Sequence, residues 1–302
     1  MMQFSATHFD EICAAEGVRD RIGAIEAERK VAVRKFWIRG LIGLALSVAA
    51  LVTLLNSGWE VVAFLAFAAG LVVTLIAAMK PLGAAKEGLK LPVLDEIARK
   101  AGMEYLPGDF TPPVYGSAAR LLFGRVTGET FSDLFHGADE AGLGYAVYEG
   151  NLQRRSGKHT VTIFSGQIYA LHRAQAGGGY TAIVPDRKIF NFFKPASDME
   201  RVKFEEDDAF ERRFEVYSTA PAEARQLVGP ELRRQLLELR EKNGRVLAFV
   251  GPGEALVAVS GKDRFEPGSM FRSRAGQERV KLMFDDVCAS FGLLKDLRAK
   301  LG

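Results

Sequence analysis

The chain has 302 residues, of which 48% are hydrophobic and 25% charged, and its net charge at pH 7 is +3. This composition excludes a wholly disordered chain, a collagen-like repeat, a disulfide scaffold and a strongly basic nucleic-acid-binding protein. The charges are unevenly distributed, because Glu60 is the only charged residue between Gly40 and Met79. The average composition therefore hides an apolar segment of the kind found in membrane proteins.

Residues 1–39 predict a charged, amphipathic helical arm. Phe9 and Ile12, and again Ile22 and Ile25, stand three residues apart, and acidic and basic residues are interleaved around them. This pattern is typical of a solvated helix. A short coiled-coil contact and packing on the downstream domain are the alternatives for the same arm.

Residues 40–79 predict a transmembrane helical hairpin. Gly40–Trp59 and Val61–Met79 contain no charged residue. Each is long enough to cross a hydrocarbon core of about 30 Å as a helix. We place the spans at about 38–57 and 60–79, joined by a short turn. A buried hairpin in the core of a soluble protein is the alternative.

Small residues recur within both predicted spans. Gly43 and Ser47 in the first, and Ala66 and Gly70 in the second, have the spacing that lets two helices approach closely. The pairs favour packing of the hairpin on itself, with self-association between protomers as the alternative. Neither span contains an ionisable residue, which argues against a proton or ion pathway through this hairpin alone.

The basic residues around the spans predict their orientation. They precede the first span and follow the second, whereas the short loop between the spans has none. Since basic residues favour the cytoplasmic side, both termini are expected in the cytoplasm. The flanking basic residues are Arg29, Lys30, Arg34, Lys35, Arg39, Lys80, Lys86 and Lys90.

The rest of the chain predicts a connector and then an α+β domain. Residues 80–110 form the juxtamembrane connector, with one short helix at Pro92–Lys100, and residues 111–302 form the cytoplasmic domain. From about Tyr115 onward, short segments rich in Val, Ile and aromatic residues predict roughly seven strands of an antiparallel sheet packed by helices. Among these helices, the C-terminal one, at about 276–300, is amphipathic.

Several sequence stretches together resemble one family. They are LPVL at 91–94, YGS at 115–117, FERRFEVYS at 210–218 and EAR at 223–225. In their order along the chain, after a helical arm and a hairpin, they look like the bacterial membrane proteins of the domain of unknown function 3137 family. The resemblance implies an inner-membrane location and a LemA-like membrane protein as a partner. It implies no activity, catalytic residue or cofactor.

A basic hairpin tip is the first candidate site. Arg154, Arg155 and Lys158 lie between two predicted strands and are candidates for contact with anionic head groups or a partner. A solvated turn is the alternative. The glycines at Gly150 and Gly157 do not have the spacing of a phosphate-binding loop.

A second candidate site contains a histidine and two carboxylates. His136, with Asp133 and Asp139 nearby, could act as a general acid or base, and a polar loop ahead of a strand is the alternative. The acidic cluster at 205–208 is interpreted as a helix-starting turn rather than a cation site. We expect no metal and no cofactor.

The phenylalanines Phe190, Phe192 and Phe193 predict either core packing or an exposed apolar patch. Taken together, the sequence favours a non-enzymatic binding or scaffold module at the bacterial inner membrane, with the lipid bilayer and a protein partner or second copy as its contacts. A membrane-tethered enzyme of unrecognised type, or an accessory subunit of a transport or envelope complex, is the alternative.

Overall fold

The computed structural model describes residues 6–108, 110–174, 178–186 and 198–302, without the side chain of Ser117. The phenylalanines Phe190, Phe192 and Phe193 lie outside the described residues. Within the described residues there are eight helices and nine strands. The helices are α1 (Ala6–Ala14), α2 (Glu16–Asn56), α3 (Glu60–Ala101), α4 (Tyr115–Phe123), α5 (Asp208–Glu211), α6 (Pro221–Leu227), α7 (Pro230–Asn243) and α8 (Gly276–Leu301). The strands are β1 (Glu104–Gly108), β2 (Gly128–Ala138), β3 (Gly144–Ser156), β4 (His159–His172), β5 (Thr181–Pro185), β6 (Glu200–Val202), β7 (Phe214–Ser218), β8 (Val246–Gly251) and β9 (Glu254–Ser260).

The described residues divide into two compact units. The helical unit comprises residues 6–97 and 266–285, and the sheet unit comprises residues 98–265 and 286–302. Helices α3 and α8 each continue from one unit into the other. The predicted class, α+β with two helices apolar and long enough to span a membrane, is confirmed.

The two long helices of the helical unit form a hairpin with a tight turn. The backbone N–H groups of Ser57 and Gly58 donate to carbonyls of the last turn of α2, and Gly58 has a φ of 77°. Glycine accepts this left-handed conformation without strain. Glu60 then begins α3 with a charge that favours a helix N-terminus.

The helices of the hairpin approach each other at the small residues that the sequence indicated. A Cβ on Gly43 would lie 2.7 Å from the Cβ of Thr74, and one on Gly70 would lie 2.5 Å from Oγ of Ser47. Neither position has room for a larger side chain. The small residues therefore serve packing of the hairpin on itself.

Two helix boundaries differ from the sequence prediction. The N-terminal arm is interrupted at Ala15, where ψ is 132°, so α1 and α2 are separate helices. In contrast, no separate connector follows Met79, because α3 continues through Pro81 and Pro92. Each proline removes one helical N–H donor. The buried side chains along this part of α3 outweigh that loss; they include Leu89, Val93, Leu94 and Ile97.

Polar contacts fix residues 266–285 within the helical unit. The Glu266 carboxylate accepts a hydrogen bond from Lys90 at 3.0 Å and forms an ion pair with Lys86 at 2.5 Å, and both lysines lie on α3. Arg279 is fully buried and donates to the carbonyl oxygens of Pro267 and Arg272 at 3.0 and 2.7 Å. Nη1 and Nη2 of this buried guanidinium thus have carbonyl partners, which offsets part of the cost of burying its charge.

The sheet unit is built on an antiparallel sheet whose nine described strands run in the order β1-β2-β3-β4-β9-β8-β5-β7-β6. One face carries an apolar core with α4, in which Leu122 and Phe123 meet Leu152, Phe164 and other buried side chains. The last part of α8 covers the other face: Phe291 packs edge-on against Phe135, with ring centroids 5.3 Å apart.

Two elements of the sheet unit were not predicted correctly. Tyr115–Phe123 is a helix and not the beginning of the strands, since its buried residues Tyr115, Ala118 and Leu122 have helical spacing. Strand β2 was not among the predicted strands, and a polar loop was the alternative for the region around His136. Its register shifts between Ser132 and Phe135, where Asp133 has a φ of 56°, and this bulge breaks the alternation that identifies a strand.

Candidate functional site

A cavity of about 240 Å³ opens at the core face of the sheet. We call it the arginine cavity, because Arg154 and Arg245 are the two charged residues among its described lining residues. The C-terminal end of α4, the β3–β4 hairpin and strands β5 and β8 supply its walls. Its other lining residues are Leu122, Phe123, Ser156, Val161, Thr162, Ile163, Val184, Pro185 and Leu247.

Backbone carbonyls hold both guanidinium groups in place. Arg154 donates from Nε to the carbonyl of Arg125 at 2.8 Å and from Nη2 to the carbonyl of Phe123 at 2.6 Å. Arg245 donates from Nη1 to the carbonyl of Ile163 at 2.6 Å. Hydrogen bonds to neutral carbonyls orient a guanidinium but leave its charge in place.

The arginine cavity is an unfavourable place for positive charge. Burial lowers the pKa of Arg245, and the nearby charge of Arg154 lowers it further. None of the described lining residues is acidic. Since arginine stays protonated at any physiological pH, both charges persist in a largely apolar environment. An anion between them would relieve the repulsion.

A second, more open groove lies on the same face of the sheet, with a volume of about 350 Å³. We call it the histidine groove, because His136 of β2 and His172 of β4 both line it. Nε2 of His136 lies 3.4 Å from a carboxylate oxygen of Glu104 on β1. The remaining wall is mainly apolar and includes Leu106 and Phe110.

The three predicted acid–base residues lie in three different surroundings. His136 lines the histidine groove, whereas Asp133 is buried and accepts a hydrogen bond of 2.6 Å from the hydroxyl of Tyr105. Asp139 accepts from the backbone N–H of Leu143 at 2.8 Å and pairs with Arg298. These contacts lower the pKa of Asp139, with the backbone hydrogen bond as the main cause. Both carboxylates thus have structural partners away from the imidazole.

The three predicted residues of the basic tip also separate. Arg155 and Lys158 are exposed at the end of the β3–β4 hairpin, where Ser156 pairs with His159. Arg154 instead lines the arginine cavity. Arg245 was missed by the sequence reasoning. The only signal was its position immediately before an apolar strand.

The acidic cluster at 205–208 forms a helix-starting turn, as interpreted from the sequence. Asp207 accepts from the backbone N–H of Phe210 at 3.1 Å and so caps α5. Arg233 pairs with Glu206 at 2.7 Å and with Asp207 at 3.0 Å. Within the described part of the chain, no group of three or more His, Cys, Asp or Glu side chains could hold a metal ion.

The family comparison covers much of the sheet unit. Residues 162–299 match the family model described as "Protein of unknown function (DUF3137)". The predicted resemblance to the DUF3137 family is confirmed over these residues. The matched region contains Arg245 and much of the arginine cavity but excludes the apolar parts of α2 and α3.

A structural comparison gives a distant likeness. The crystal structure of the mycobacterial trehalose monomycolate transport factor A, TtfA, is 15% identical and has a TM-score of 0.35. The alignment covers 67% of this chain and 96% of that chain. No curated protein matches the sequence.

Proposed function

We propose that α2 and α3 anchor this protein in the bacterial inner membrane and that its α+β domain is a binding module in the cytoplasm. The observation that carries the anchor is the exposure of large apolar side chains around both helices. In the most apolar 18-residue stretch of each, only 6% and 11% of the residues are buried. The exposed side chains include Trp37, Leu41, Leu46, Val61, Phe64, Leu65, Val73 and Ile76.

Exposure of this kind is unfavourable in water and favourable in lipid. Apolar surface in water costs about 25 cal/mol per Å², so a soluble hairpin would bury these side chains. Polar groups within the helices are satisfied locally, since the hydroxyls of Ser47, Thr53 and Ser57 donate to carbonyls one turn earlier at 2.8–2.9 Å. Internal satisfaction of polar groups is what a hydrocarbon environment demands.

The flanking charges support the orientation. Arg39, at the beginning of the first span, donates from Nη1 to the carbonyl of Ala77 near the end of the second at 3.0 Å. Basic residues thus cluster at the end of the hairpin opposite to Gly58, the end expected on the cytoplasmic side.

Membrane extraction and reporter fusions test the anchor and the orientation. The full-length chain should stay in the membrane pellet after an alkaline carbonate wash, whereas a variant lacking residues 40–79 should be released. An alkaline phosphatase reporter should be active when inserted at Gly58 and inactive after Gly302. Release of the full-length chain would overturn the anchor, and the reverse reporter pattern would overturn the orientation.

The arginine cavity supports binding as the role of the cytoplasmic domain. It combines an apolar wall with two cations that backbone carbonyls hold in place. Small-molecule sites have this composition, with many apolar contacts and a few fixed polar groups. A LemA-like protein or a second copy of the chain stays a prediction of the sequence.

A membrane-tethered enzyme is the second candidate, and the presence of His136 and His172 in one groove favours it. Two imidazoles in one groove can supply a general acid and a general base. The reconstituted chain would then convert a compound in a bacterial metabolite extract, detected by mass spectrometry. His172→Asn should abolish the conversion, and conversion that persists in this variant would remove the groove from consideration.

A further inference from the structure

We propose that the arginine cavity binds a single-chain anionic amphiphile, with its head group between Arg154 and Arg245 and its alkyl chain along the apolar wall. The shared chemistry of such ligands is a carboxylate or phosphate joined to one hydrocarbon chain. This inference rests on the binding role proposed above and is independent of the membrane anchor.

The wall of the cavity is suited to an alkyl chain. Leu122 and Leu247 form part of the buried core, and Ile163 packs at its border. Val161, at the cavity mouth, is 51% exposed although it is a large apolar residue in a strand. A bound chain would cover Val161 and remove this apolar surface from water.

The two arginines are suited to the head group. A guanidinium presents several N–H donors in a fixed plane that matches the oxygens of a carboxylate or phosphate. The carbonyls of Phe123, Arg125 and Ile163 already orient both side chains, so binding requires little additional ordering. An anion would also offset the repulsion that lowers the pKa of Arg245.

The size and lining of the cavity disfavour larger ligands. Its volume of about 240 Å³ lies below the range of about 300–1,000 Å³ for drug-sized ligands. Phe123 is the single aromatic residue among its described lining residues, so the cavity offers little surface on which a nucleotide base could stack. A simple inorganic anion would use the arginines but leave the apolar wall in water, so we favour the amphiphile.

Photocrosslinking tests the ligand class on the full-length chain reconstituted in phosphatidylcholine nanodiscs. The probe is dodecanoate with a diazirine near the end of its chain, and crosslinked peptides are identified by mass spectrometry. We expect crosslinks at residues 121–123 and 161–163. Probe dissolved in the bilayer should also label residues 37–79, and this second set of crosslinks is the internal reference. Missing labels at 37–79 would contradict the anchor, whereas missing labels at the cavity would contradict this inference.

Competition separates the head group from the chain. Unlabelled dodecanoate or dodecyl phosphate should displace the probe from the cavity at least tenfold better than dodecanol, because a charge-assisted pair is worth about that factor. The better of the two anions identifies the head group. Equal competition by dodecanol, or equal competition by inorganic phosphate, would overturn the proposal.

Variants provide matched controls. Arg245→Gln and Arg154→Gln should each weaken dodecanoate binding about tenfold. Arg155→Gln removes the same charge from the exposed neighbour of Arg154 and should leave binding unchanged. Val161→Trp keeps both arginines and fills the mouth of the cavity, so it should also weaken binding. Thermal unfolding shows whether each variant is folded. Wild-type affinity in folded Arg245→Gln and Val161→Trp would exclude the cavity as the site.

Discussion

The helical hairpin exposes its large apolar side chains, whereas the sheet unit buries them. In the hairpin, Gly43 and Gly70 occupy the contact between the helices, while large residues such as Leu46, which is 66% exposed, point away from it. In the sheet unit, Phe135 and Tyr148 are fully buried. Lipid gives helices no hydrophobic reason to pack through large residues, whereas water does. The size of the residues at a contact, more than their hydrophobicity, thus distinguishes the two regions.

Removing a phenylalanine ring should destabilise the sheet unit but not the hairpin, and this is the largest effect that we predict. Phe135 is in contact with the rings of Tyr105, Phe265 and Phe291, at centroid distances of 4.9–5.3 Å. Phe135→Ala should lower the free energy of unfolding of the sheet unit by about 3–5 kcal/mol. Phe64→Ala, on the exposed surface of the hairpin, should leave the free energy of unfolding of the hairpin unchanged.

Pulse proteolysis in urea, performed on the full-length chain in nanodiscs, measures this difference. Fragments that contain β2 report unfolding of the sheet unit, and fragments that contain the first half of α3 report unfolding of the hairpin. Equal destabilisation by Phe135→Ala and Phe64→Ala would mean that both rings are buried against protein. The comparison between the two regions would then be wrong.

Enlarging a glycine in the hairpin should have a smaller effect that depends on its position. A side chain on Gly43 would overlap Thr74, so Gly43→Ile should force α2 and α3 apart at a cost of about 1–3 kcal/mol. Gly40→Ile is the matched control, because a Cβ there meets nothing within 4 Å. The fluorescence of Trp37 and Trp59, the two tryptophans of the chain, reports unfolding of the hairpin in detergent. Identical transitions for both variants would show that the helices do not pack at Gly43.

The two regions also differ in how far the sequence predicts them. The hairpin can be predicted from short stretches of sequence. The uncharged runs, the turn at Gly58 and the small residues are each recognisable from residues that are close together in the chain. The β3–β4 hairpin is local as well and was predicted. The continuous α3 was not, because burial overrode the local signal of Pro81 and Pro92.

The arginine cavity depends on contacts that no local pattern reveals. Arg245 reaches the carbonyl of Ile163 because β4 pairs with β9, at Gly166 and Ser260, and β9 pairs with β8. Strands β4 and β8 are distant in sequence, and their order in the sheet is set by the whole core. The sequence therefore indicated Arg154 as a candidate but placed it at a solvated tip, without its partner Arg245.

The smallest predicted effect concerns the polar contacts that hold residues 266–285 in the helical unit. The Glu26 carboxylate on α2 accepts hydrogen bonds from Arg29 at 2.7 and 2.8 Å and from Ser273 at 2.8 Å. The hydrogen bonds from Arg29 are the main cause that lowers the pKa of Glu26 from 4.5 to about 2. Folding lowers the pKa of this carboxyl, so the carboxyl stabilises the folded state when the pH is above its pKa in the unfolded chain. This contribution is lost as the pH falls through its pKa in the folded chain.

Hydrogen exchange of residues 266–285 measures this contribution. At pH 6, Glu26→Gln should increase exchange by up to about fivefold, since an ion pair with a partly exposed carboxylate is worth about 1 kcal/mol or less. Between pH 4.5 and about 2, the difference between the variant and the wild type should disappear, because the carboxyl of the wild type becomes protonated. Glu16→Gln, which removes an acid from the first turn of the same helix, is the control and should leave exchange in this segment unchanged. A difference that persists at pH 2 would show that the contact depends on the shape of the side chain rather than on its charge.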